Sequence, residues 1–80
     1  MDTNTLSSFG KVLRKVRNEK GWSQEELAER AKVHRTYIGM LERGEKNITL
    51  LNLRKISKAL GVNASELVKK TEKYGSSRKD

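Results

Sequence analysis

The chain has no cysteine and no proline, only four aromatic residues and one histidine among its 80 residues. Without thiols there is neither a disulfide framework nor a thiolate metal site. A lone histidine without cysteine cannot supply the Cys/His set of a structural zinc site, so no metal and no other cofactor is expected. No run of Ala, Val, Ile, Leu, Met, Phe, Trp or Tyr exceeds two residues. A transmembrane span and the apolar core of a secretory signal are thereby excluded, and the expected location is cytoplasmic, with no membrane partner. There is no Ser/His/Asp set, no glycine-rich phosphate loop and no metal cluster, so no enzyme and no small-molecule ligand is expected. A chain this short builds one domain with a modest core, held by apolar packing and helped by dimerisation.

What is abundant is positive charge: 18 Lys and Arg against 10 Asp and Glu, a formal net of +8. Basicity of that size suits a polyanion, either nucleic acid or an anionic membrane face, unless it is simply a solvated lysine-rich surface. A membrane-surface helix would need one clean basic and aromatic face. The first helical segment has the basic residues but spends its apolar face on the core.

Apolar residues recur at three- and four-residue steps, which is the helical period. Leu6, Phe9, Val12, Leu13 and Val16 make one stripe of a helix over about 6–20, closed by Gly21 at the position a left-handed cap favours. Ser23 with Glu26, and Asn63 with Glu66, read as capping boxes. An apolar residue before each cap pairs with one five positions later: Trp22 with Leu27, Val33 with Ile38, Ile48 with Leu53, Val62 with Leu67. These staples predict further helices over about 24–31, 35–43, 50–60 and 64–73, with the single domain spanning 6–73. Residues 1–5 and the basic tail 74–80 offer little to bury and read as disordered. The fold class is all-α, with five helices.

Only Lys32, Val33 and His34 separate the second and third helices, so the third must cross the second steeply. In QEELAERAKVHRTYIGMLER (24–43), Leu27, Ala31, Val33, Ile38 and Leu41 are the buried positions, and Ala28 is small where the helices meet. Arg35, Thr36, Tyr37, Gly39 and Met40 then point away from the core, as a helix fitted to a DNA major groove requires. The segment is charge-neutral over 24–43, but Glu25, Glu26 and Glu29 sit early in the second helix, complementing its dipole. The lysines and arginines of the fourth helix and the tail read as solvated faces.

The pattern GWSQEELAERA, followed by ERG and a helix ending ALGV, resembles the phage-repressor and Cro-like (XRE) helix-turn-helix family over residues 7–73. HRTYIGMLERGEKNITLLNLRKI further resembles the controller proteins of restriction–modification systems. The resemblance implies a lambda-repressor-like domain with its helix-turn-helix in helices two and three. It implies a sequence-specific transcriptional regulator on duplex DNA, acting as a homodimer on near-palindromic operators. Such a controller autoregulates its own and the endonuclease promoter, with two dimers on one operator and RNA polymerase as a further partner. The alternative is an antitoxin-type or phage/host regulator whose main partner is a protein toxin. One position departs from the family: Lys32 stands where the turn usually carries Gly. Positive φ there would cost on the order of 1 kcal/mol, unless the turn takes another geometry.

Arg35 is the first candidate for base readout, since its planar fork can donate to guanine O6 and N7. Thr36 can meet a base by hydroxyl or methyl, and Met40 can cover a thymine methyl or simply fill surface. Gln24 stands where family members hold a phosphate, at a helix N-terminus. Tyr37, Arg43, Lys46 and Asn47 are candidate phosphate contacts, which add affinity without reading sequence. The family pattern pairs Arg17 with Glu42 as a structural ion pair. His34 reads as an imperfect N-cap. Leu50, Leu53, Ile56 and Leu60 are assigned to the core, leaving Leu51 over; Leu67 and Val68 cannot both face inward. Ile48, Leu51, Val68 and Thr71 are therefore the candidate dimer interface.

Overall fold

The Ser23 side chain accepts the Glu26 amide at 3.0 Å, and Thr49 accepts that of Asn52 at 3.1 Å. Each satisfies an amide that a helix start leaves without a partner. The computed structural model describes residues 3–77. It has five helices: α1 Thr3–Glu19, α2 Gln24–Ala31, α3 Arg35–Glu42, α4 Leu50–Leu60 and α5 Ala64–Ser77. There is no strand among the described residues. The carboxylate of Glu26 pairs with Arg30 at 2.6 Å, one turn on, which leaves the Ser23 bond as the cap. His34 has the extended backbone of an N-cap but makes no side-chain cap bond, as expected of an imidazole in that place.

Gly21 and Gly61 end α1 and α4 in the left-handed region, at φ 76° and 75°. Lys32 does the same for α2 at φ 61°. Of the two readings of this turn, the left-handed one holds. Its amide is bonded within the last turn of α2, and Val33 then reaches back to the Ala28 carbonyl at 3.0 Å. These bonds make the turn tight enough to throw α3 across α2.

The core is Phe9, Val12, Leu13 and Val16 of α1, Leu27, Ala28 and Ala31 of α2, Ile38 and Leu41 of α3, Leu53, Ile56 and Leu60 of α4, and Leu67 of α5. Trp22, Val33, Ile48 and Val62, the four residues before the caps, all pack against it. α1 lies against α3 and α5, and α2 against α3 and α4. Gly10 marks the α1–α3 crossing: a Cβ there would stand 2.5 Å from the Glu42 carbonyl oxygen and 2.6 Å from that of Leu41. The end of α3 thus rests directly on the α1 backbone.

Three expectations are corrected. Helix α1 reaches back to Thr3 and α5 runs on to Ser77, so segments read as tails are helical; of those tails, residues 1–2 and 78–80 lie outside the described residues. Half-buried Tyr74 packs against the core and gives α5 a reason to continue. Leu50 is not a core residue but 74% exposed. It occupies the first position of α4, while Ile48, two residues earlier, packs against the core instead. Thr71 is not on an outer face either. It is 8% exposed, follows the inward stripe of Leu67, and donates its hydroxyl to the Leu67 carbonyl at 2.8 Å.

Candidate nucleic-acid interface

Helix α3 buries Ile38, Leu41 and, against the expectation that it faces outward, Gly39, and turns Arg35 and Thr36 to solvent. Two residues of its first turn are therefore free to meet another surface. The Arg35 guanidinium stands 3.8 Å from the Glu25 carboxylate, with both side chains well exposed, a pair too solvated to restrain it. Met40, one turn on, is half-buried, while Lys46 and Asn47 are exposed in the loop after α3.

Tyr37 packs its ring against the core while its hydroxyl oxygen accepts the Asn52 side-chain amide at 3.0 Å. One lone pair is thereby occupied, and the phenolic proton is left to donate outward. Asn52 escaped sequence reading because nothing in the spacing of 37 and 52 announces a contact between α3 and α4.

Behind α3 lies a buried ion pair. Arg17 meets Glu42 through two parallel bonds, Nε to Oε2 at 2.7 Å and Nη2 to Oε1 at 2.9 Å, with both side chains nearly sealed. Its remaining Nη1 donates to the Trp22 carbonyl at 2.7 Å. The hydrogen bond to Glu42, helped by its charge and opposed by burial, holds the Arg17 pKa above its already high ordinary value. The pair ties α1 to the end of α3, the arrangement anticipated for these residues. Losing either partner would strand the other, at about 3–5 kcal/mol.

Gln24 belongs to the same cluster, donating its amide to Glu42 Oε1 at 3.0 Å. Across α3, Arg43 pairs with Glu45 at 2.9 Å on the surface, which raises its pKa. A Cβ on Gly39 would lie 3.1 Å from Arg43 Nη1 and 3.5 Å from Gln24 Oε1. The bare backbone of Gly39 is what lets these two side chains converge. Of the interface residues expected for a second subunit, Leu51 is 68% exposed and Val68 42%; Ile48 is half-buried and Thr71 turned in. Among the described residues no group of acidic, histidine or cysteine side chains could hold a metal, and no helix is long and apolar enough to cross a membrane.

The model of the helix-turn-helix family matches residues 13–67. Control protein C.BamHI of Bacillus amyloliquefaciens is 46% identical over 69 residues, 85% of each chain. The chain belongs to the helix-turn-helix control proteins. The solved restriction–modification controller protein C.AhdI of Aeromonas hydrophila shares 44% identity at a TM-score of 0.76, over 78% of this chain and 94% of that one. A second controller, C.Esp1396I, solved as a tetramer in complex with its natural 35 base-pair operator, shares 37% at a TM-score of 0.80, over 89% and 93%. In control-protein terms, the family match takes in α2, α3, α4 and the ion pair, and ends at Leu67.

Proposed function

We propose that the chain is the controller of a restriction–modification system, a non-enzymatic regulator that binds duplex DNA and governs its own promoter and that of the endonuclease. The observation that carries this is the exposure of Arg35 and Thr36 at the front of a helix anchored from behind by Arg17 and Glu42. Arg35 reads guanine, Thr36 and Met40 complete the base contacts, and Gln24, Tyr37, Arg43, Lys46 and Asn47 hold phosphates. A homodimer formed through the α4 and α5 surface sets two reading helices about one DNA turn apart on a near-palindromic site. Two such dimers share an operator, and RNA polymerase is the partner through which activation acts.

The test is footprinting on the DNA upstream of the chain's own coding sequence, followed by titration with an Arg35→Ala variant. Protection of a near-palindrome is expected. The variant should lose about 1–3 kcal/mol of discrimination between that site and a scrambled duplex. An Arg35→Ala protein that kept the parent's full preference would sink the assignment of the reading residue. Absence of any protected site would sink the function.

A further inference from the structure

We infer that Arg14, on α1 and outside the helix-turn-helix pair α2–α3, is a DNA phosphate contact that extends the rim formed by Gln24 and Arg43. The inference rests on the DNA-binding reading above and adds a residue and an element to it.

Arg14 Nε lies 3.8 Å from Glu42 Oε1, with the Arg14 side chain 65% exposed and that of Glu42 at 2%. That oxygen already receives Arg17 at 2.9 Å and Gln24 at 3.0 Å. Three donor side chains thus converge on one carboxylate oxygen, and two of them bring a full positive charge. A single carboxylate neutralises one guanidinium. Arg17 takes that role, since it holds both oxygens and is buried. Arg14 is therefore the surplus cation of the cluster, too far from Glu42 to be hydrogen-bonded and open to solvent.

Its position follows from the same atom. Gln24 and Arg14 share Glu42 Oε1, while Gln24 and Arg43 converge over Gly39. The order along the rim is Arg14, Gln24, Arg43, around the far end of the reading helix. A phosphate seated against Gln24 meets an uncompensated guanidinium on its α1 side. Its neighbour Lys15 is also exposed on α1, but it lies 4.0 Å from Glu19 one turn on rather than beside Glu42 and Gln24. The Glu42 carboxylate acts as an anchor that aims Arg14 without quenching it.

The test is the salt dependence of binding. Parent, Arg14→Gln and Arg14→Lys proteins are titrated, across a range of salt, against the chain's own upstream DNA and a scrambled duplex of equal length. Arg14→Gln should weaken binding several-fold on both duplexes alike. It should also flatten the slope of log affinity against log salt by about 0.9 per subunit, about 1.8 for a dimer. Arg14→Lys should restore the slope, and thermal melting should be unchanged across the set. A variant that melts lower yet keeps the parent's slope would show Arg14 to be a structural partner of Glu42 and overturn the inference. An unchanged slope with unchanged melting overturns it as well. If the parent itself shows no salt-dependent binding to either duplex, the DNA-binding reading fails and this inference falls with it.

Discussion

Lys32 keeps a side chain at φ 61°, in the left-handed region, at the one place where the turn between α2 and α3 must be tight. The Cβ crowding of that conformation costs on the order of 1 kcal/mol in an L-residue, and glycine escapes it. Lys32→Gly should therefore stabilise the fold by up to about 0.5 kcal/mol, the looser unfolded chain offsetting much of the relief. Urea unfolding measures this, and a destabilised variant would mean that Lys32 contributes something the backbone does not show. The position was visible in the sequence as a departure from the family. Its geometry was not, because a lysine is compatible with either turn.

Among the elements, the α1–α3 crossing is the most constrained. A methyl group on Gly10 would enter the carbonyl oxygens of both Leu41 and Glu42, which are backbone and cannot rotate away. Gly10→Ala should displace the end of α3, costing about 1–3 kcal/mol by overpacking and loosening operator binding beyond that loss. Calorimetry paired with a binding titration checks it; parent-like melting and affinity would mean that the helices separate freely. What was legible at this scale was what local chemistry dictates. Ser23 and the apolar residues before the caps, Trp22 and Ile48, placed α2 and α4 to the residue, since a cap is satisfied within its own turn. The Arg17–Glu42 pair came from the family pattern rather than from spacing. Contacts between distant elements were silent: Asn52 on Tyr37, Arg14 beside Glu42, and the Gly10 crossing follow from how the helices cross. Leu50 and Thr71 were misplaced for a related reason. Periodicity assigns a stripe but not where the core beneath it ends, nor which of two adjacent stripes faces in.

At the scale of the whole molecule, Leu51 and Val68 remain as large apolar side chains in water on an otherwise basic surface, with Leu50 beside Leu51. A second copy covering them is the dimer of the proposed function. Leu51→Glu should shift the protein toward monomer and weaken operator binding by the lost pairing of half-sites, with the melting of the monomer little changed. Sedimentation across a concentration series decides this. Dimers as tight as the parent's would exclude Leu51 from the contact.

The resting of α3 on bare α1 backbone at Gly10 carries one more consequence. The eight-residue α3, clamped from behind by Arg17 and abutting another helix at its end, is held against sliding and tilting within its subunit. Half-sites set slightly too close or too far apart must then be reconciled by the DNA, through twist and groove width between them. The stiffness of base pairs that no side chain touches thereby becomes part of what this small protein reads.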